Sequence, residues 1–207
     1  MKTVGVVSLG CSKNLVDSER ILGCFVDAGF EITPDPKEAQ VLLVNTCGFI
    51  TPAKEESIQT TLEMAQYKTQ GCCKLLVMAG CLSQRYGAEL QTEMPEVDLF
   101  WGVRNPEQLV RRVCEMLGEP AGCTMHGRRI LTTPQYSAYL RIADGCDNRC
   151  TYCAIPLIRG GRKSVPMDAL IAEARTLAES GVKELTLIAQ DTSAYGTELY
   201  GKPMLAE

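Results

Sequence analysis

Four times in the first 118 residues a short apolar run passes through a tight turn into an amphipathic helix, and this repeat restricts the fold more than any other feature. Val4 to Leu9 ends at Gly10-Cys11; the next segment carries Leu15, Leu22, Phe25 and Val26 on one helical stripe, and Gly29 stops it. Val41 to Val44 runs into Asn45-Thr46-Cys47-Gly48. There Thr51 is expected as an N-cap, Pro52 as the first helical residue, and Ile58, Leu62 and Ala65 as the buried stripe. Leu75 to Met78 leads through Ala79-Gly80-Cys81 into a helix that Pro95 prevents from passing Met94. Val97 to Val103 precedes Asn105-Pro106 and a helix with Leu109, Val110, Val113 and Leu117, closed by Gly118. Buried strands alternating with amphipathic helices make parallel βαβ units, so residues 1–118 are expected to form a small doubly wound α/β sheet.

Strands of a parallel sheet all point one way, so Cys11, Cys47 and Cys81, each just past its strand, must share the carboxyl edge where such folds place ligands. Cys24, Cys72, Cys73, Cys114 and Cys123 occupy helices and connections and read as packing or inert surface. Packing is the alternative for the strand-end trio as well, but three repeats of one topological setting favour a metal centre with three protein ligands. The eleven cysteines do not suggest a disulfide scaffold. Met1 leads directly into a strand-like run, with no signal peptide and no apolar stretch of the ~20 residues that would cross a bilayer. A reducing cytoplasm and no membrane association are therefore expected.

Residues 119–133 read as a linker, containing Pro120, Gly122, Gly127 and the single histidine, His126, which is expected to be solvated. A second unit is expected over 134–207. Tyr136 to Ile142 reads as a strand and Ala143-Asp144-Gly145 as its turn; Cys146-Asp-Asn-Arg-Cys150-Thr-Tyr-Cys153 follows. Three thiols at CxxxCxxC spacing can converge on one soft metal. Structural zinc takes four ligands, whereas an iron-sulfur cluster held by three thiolates leaves one iron open. A zinc knuckle completed by Cys123 or His126, or a redox pair of Cys150 and Cys153, remains open on spacing alone.

Ala154 to Val165 is expected to continue the loop, and Pro166 to open a helix with Leu170, Ala174, Leu177 and Ala178 on one face. Leu185 to Ile188 then forms a strand delivering Gln190 and Asp191 to the edge of the cysteine loop, and residues 195–203 read as loop. Two strands and one helix cannot bury both faces of a parallel sheet. This unit is thus expected to be the incomplete beginning of a βα barrel, a fold of roughly 250 residues.

The net charge of −4 and pI near 5.2 argue against a nucleic-acid surface spread over the chain. Arg159, Arg162 and Lys163 form one local basic group and Arg128 with Arg129 another. A solvated loop is the simpler reading of each, and direct nucleic-acid binding stays open.

CxxxCxxC with Tyr152 before its last cysteine, set between the first strand and helix of a βα series, resembles the signature of the radical S-adenosylmethionine enzymes. The resemblance implies that Cys146, Cys150 and Cys153 hold a [4Fe-4S] cluster whose fourth iron chelates S-adenosyl-L-methionine. It also implies that Tyr152 contacts adenine through its backbone and that Gln190, with Asp191, lines the cofactor mouth. The words around Cys11, Cys47 and Cys81 are similar to the N-terminal domain of the methylthiotransferases within that family, which implies a second [4Fe-4S] cluster on this trio. Gly10 through Glu19, Val44 through Ile50, Ile142 through Arg159 and Ile188 through Thr192 look like the branch that methylthiolates the β-carbon of an aspartate in a small-subunit ribosomal protein. That implies a transferase with a ribosomal protein as substrate partner and an external electron donor. It also implies a remaining barrel and a TRAM domain beyond Glu207, without which this stretch alone is expected to be inactive. A tRNA methylthiotransferase acting on a modified adenosine is the alternative; a non-catalytic iron-sulfur or zinc-braced module is the alternative of another class.

Overall fold

The computed structural model describes residues 2–119 and 128–207, which fall into two compact units, 1–130 and 131–207. In the first, β1 (Lys2–Ser8), β2 (Phe30–Ile32), β3 (Val41–Thr46), β4 (Leu75–Gly80) and β5 (Leu99–Phe100) form one sheet in the order β2-β1-β3-β4-β5, every neighbouring pair parallel. The helices are α1 (Ser12–Asp27), α2 (Thr51–Ala65), the short α3 (Tyr67–Gln70), α4 (Cys81–Glu93) and α5 (Pro106–Met116). All six residues of β3 and all six of β4 are buried, as strands covered on both faces must be. On one face Ile21, Cys24 and Phe25 of α1 pack with Leu109, Val110 and Val113 of α5; on the other, Leu82 and Leu90 of α4 pack against Leu42, Leu76 and Met78. The doubly wound parallel α/β sheet expected from the repeat is present.

Some elements depart from expectation. β2, which has no counterpart in the sequence reading, is a three-residue edge strand, anchored by Phe30, whose ring meets Phe25 edge-on at 5.1 Å. β5 is confined to two of the residues expected over 97–103. At α2 the N-cap is Ile50, in extended conformation, and Thr51 is already helical. The buried face of α2 is made by Ser57 and Thr61; Ile58 is half-buried and Leu62 exposed. Polar residues can face inward here because each hydroxyl donates to the carbonyl four residues back, Ser57 to Ala53 at 2.7 Å and Thr61 to Ser57 at 2.7 Å. The expected linker lies for the most part, with His126 and Cys123, outside the described residues. Residues 128–130 run along α1, with Ile130 N–H donating to Glu19 O at 3.1 Å.

In the second unit β6 (Ser137–Arg141) pairs in parallel with β9 (Glu184–Ile188), and α7 (Met167–Glu179) connects them. Leu140, Ile142, Leu170, Leu177, Val182 and Tyr195 form the core, while Leu187 stays 46% exposed. Ala143-Asp144 is not a turn: it is β7 (Ala143–Asp144), paired antiparallel with β8 (Lys163–Ser164). The stretch expected as loop before Pro166 also holds α6 (Ile155–Arg159), and that after Tyr195 holds α8 (Thr197–Tyr200). These elements are two to five residues long, too short to show a period. Among the described residues no helix is long and apolar enough to cross a membrane.

Candidate metal centres

The parallel register aligns Ser8 with Asn45, Asn45 with Ala79, and Thr46 with Gly80, so the chain leaves β1, β3 and β4 at one edge carrying Cys11, Cys47 and Cys81. Cys11 is the N-cap of α1 and Cys81 the first residue of α4, and the amide-rich start of a helix favours negative charge beside it. Gly10 (φ 88°) brings the first two segments together: a Cβ there would stand 2.8 Å from Cys47 Cβ and 3.3 Å from its Sγ. Gly80 (φ 97°) does the same for the third, because a Cβ would run into Asn45 Oδ1 and the Thr46 carbonyl. Cys47 N–H donates to Ser57 Oγ at 3.0 Å, and Arg85 Nη1 donates to Gly48 O at 3.2 Å with its guanidinium 4.9 Å over the Tyr86 ring. Cys11 is exposed, Cys47 half-buried and Cys81 buried, and none is in a disulfide.

The second trio sits in the loop after β7. Cys146 and Cys153 are half-buried, Cys150 is exposed, and all three are free thiols. Three anchors hold this loop. Cys146 N–H donates to Gly160 O at 3.1 Å. Asp147 accepts the backbone N–H of Arg162 at 3.0 Å, while Arg162 Nε reaches Glu198 at 3.1 Å. Asn148 Nδ2 donates to Asp191 Oδ2 at 3.1 Å, and Ser193 Oγ donates to Asp191 Oδ1 at 2.6 Å. The Ser193 hydrogen bond, followed by that from Asn148, holds the Asp191 carboxyl below its ordinary value against opposing desolvation.

Tyr152 is 85% exposed and belongs to no core cluster. Gln190, just beyond β9, has both amide atoms buried and unpartnered, a costly state that a polar ligand would relieve. Among the described residues no group of three or more His, Cys, Asp or Glu side chains is drawn to metal-ligating distances. The backbone brings the first trio to one sheet edge and holds the second within one loop. Donor chemistry fits soft iron in both cases, since every member is an unbridged thiol.

Each of the two basic groups holds an arginine that is not solvated as expected, while Arg128 and Lys163 are exposed. Arg159 is 2% exposed and donates to both oxygens of Asp144 at 3.2 and 3.3 Å. Arg129 pairs with the buried carboxylate of Glu19. Both guanidiniums are turned to carboxylates of their own unit, because a buried arginine is tolerated only when paired. No separate role for Asn14, Ser57 or Asn148 is legible in the sequence, and Arg159 stands there only as part of a basic group; the one available signal is that Asn14 lies a single helical turn after Cys11.

Residues 3–102 match the family described as Uncharacterized protein family UPF0004, and residues 140–206 match the Radical SAM superfamily. A protein of Pelotomaculum thermopropionicum named "Ribosomal protein uS12 methylthiotransferase RimO" is 53% identical over 213 residues, covering 98% of this chain and 48% of its own length. Proteins of the same name from Clostridium perfringens (50% identical, 98% of this chain, 47% of theirs) and Caldicellulosiruptor saccharolyticus (49%, 100% and 49%) are similar in the same way. The chain spans about half the length of these relatives.

Proposed function

The chain belongs to the radical SAM methylthiotransferases, and on that premise we propose that it is the cluster-bearing part of an enzyme placing a methylthio group on the β-carbon of an aspartate in ribosomal protein uS12. The family's cofactors are S-adenosyl-L-methionine and iron-sulfur clusters. We assign one cluster to Cys11, Cys47 and Cys81 in a domain spanning 1–118, and a second to Cys146, Cys150 and Cys153 in the radical SAM region of 134–207. The observation that carries this reading is the gathering of Cys11, Cys47 and Cys81 from three separate strands to one sheet edge, in a chain whose CxxxCxxC loop already provides another thiol trio.

When bound, the loop's cluster supplies one-electron cleavage of S-adenosyl-L-methionine, and the strand-edge cluster handles the sulfur to be inserted. The protein's part is to hold and orient. Three thiolates at each site would hold a cluster and leave a coordination position that an exogenous group could take. The Asp144–Arg159 pair and the Cys146–Gly160 hydrogen bond fix the base of the loop. Gln190, whose amide atoms are buried without partners, is assigned to the polar end of the cofactor, and the exposed Tyr152 to a backbone contact with its adenine. A cytoplasmic setting follows from a ribosomal protein substrate and from oxygen-sensitive clusters, and electrons come from an external donor.

Anaerobic reconstitution should load about eight irons per chain, falling to about four when Cys146, Cys150 and Cys153 are all changed to Ala. Tight zinc with almost no iron would reject the assignment in favour of a zinc-braced module. Mass spectrometry of uS12 and of tRNA from a deletion strain tests the substrate. Loss of methylthio from tRNA alone would transfer the activity to a modified adenosine.

A further inference from the structure

Asn14 is 1% exposed, within the edge that carries the first trio. Its Nδ2 donates to Leu9 O at 3.1 Å and to Thr46 O at 2.9 Å. Both amide hydrogens are therefore in use, and since a carbonyl oxygen cannot face Oδ1, the amide has a single allowed orientation. In that orientation Oδ1 lies 3.4 Å from Cys81 Sγ and accepts a hydrogen bond from its S–H, holding the unliganded thiol in place. The backbone of Asn14 is held as well. Asn45 Nδ2 donates to Asn14 O at 2.8 Å and to Ser18 Oγ at 2.9 Å, and Ser18 Oγ donates to Ser8 Oγ at 2.8 Å.

Leu9 lies two residues before Cys11, and Thr46 immediately before Cys47. One buried amide thus touches all three segments that carry the cysteines. We infer that Asn14 is a positioning residue that sets the mutual spacing of Cys11, Cys47 and Cys81 for a shared thiophilic ligand, an inference that rests on reading this trio as a metal centre. A purely architectural tie already exists at the same edge, where Thr46 Oγ1 donates to Ala79 O at 2.6 Å without touching a cysteine. Asn14 differs in having its acceptor on a thiol. Aspartate has the same shape but neither donor, so Asn14→Asp removes the tie with little change of volume.

Arsenite tests this without a cluster. Three thiols displace three hydroxides from As(OH)3, forming three As–S bonds and releasing three waters, with no change of oxidation state. The full chain would be titrated with Cys146, Cys150 and Cys153 changed to Ala, and the engaged thiols identified by their protection from alkylation. In that background Cys11, Cys47 and Cys81 should be protected together by one arsenic. Asn14→Asp and Asn14→Ala should weaken this by about tenfold while keeping the far-UV circular dichroism. Thr46→Val should bind arsenite like the background even if its melting temperature falls, and iron uptake should follow the same order. If the background itself protects no trio and takes up no iron, the metal-centre reading fails and the inference with it. If the background binds but Asn14→Asp binds equally, or Thr46→Val loses as much, or both Asn14 variants lose the helical signal, the positioning role is overturned and Asn14 serves the fold alone.

Discussion

Glu19 of α1, fully buried, is met by Arg129 from 110 positions away: Nε donates to Oε2 at 2.8 Å, and Nη2 lies 2.6 Å from the same oxygen, off the hydrogen-bonding line. Removing the arginine leaves a carboxylate with neither water nor its cationic partner. Arg129→Met should lower stability by about 3–5 kcal/mol, read as a shift in the urea midpoint, and adding Glu19→Gln should recover part of it. An unmoved midpoint would mean that the pair holds nothing.

The thiols separate by burial. Desolvation, then Glu107 and Asp27, push Cys24 up to about 12, and burial also raises Cys73 and Cys114. At pH 8, brief iodoacetamide treatment of the apo chain should label Cys11, Cys72 and Cys150, which are exposed, and spare Cys24, Cys73 and Cys114.

The same shift makes stability depend on alkaline pH. A buried thiol kept protonated contributes fully below its unfolded value near 9 and progressively less as pH rises towards about 12. Urea midpoints should therefore fall through that window, and Cys24→Ala should flatten the fall. Equal slopes in both proteins would assign the loss to other groups.

Arg159 is the buried side of an ion pair whose partner, Asp144, adjoins the cysteine loop. Arg159→Met should free that loop, speeding hydrogen exchange at the Cys146 amide by about tenfold or more, with exchange in β6 unchanged. Uniform acceleration across the second unit would indicate global destabilisation instead.

Asp191 is held low by hydrogen bonds from Ser193 and Asn148. Asn148→Ala should raise its titration midpoint towards the ordinary carboxylate value, followed by NMR at its carboxyl carbon, and adding Ser193→Ala should raise it further, the backbone hydrogen bonds from Ser193 and Ala194 remaining. Because the folded value is depressed, its contribution is present above the unfolded value and lost as pH falls through the folded one, in the acid range below 3.8.

The shared edge of Cys11, Cys47 and Cys81 could be read from the chain because strand period and parallel topology are both written in apolar residues. The inward face of α2 could not, since Ser57 and Thr61 carry it and a pattern based on hydrophobicity turns such residues outward. The roles of Asn14 and Asn148 were hidden for another reason. Each acts through a side-chain hydrogen bond to a distant partner, and such bonds leave no period. The ribbon of β7 and β8 was missed because two residues per strand are too few to alternate.

The two trios differ in what must exist before each can form. Cys146, Cys150 and Cys153 lie within eight residues, so even an unfolded chain can bring them together at small entropic cost. Cys11, Cys47 and Cys81 are joined only once β1, β3 and β4 are in register. Any ligand they share behaves as a cross-link between distant segments, coupling its affinity to the stability of the whole sheet. During synthesis this shared edge cannot exist until β4 has emerged and paired, whereas the later loop carries its own assembly instructions.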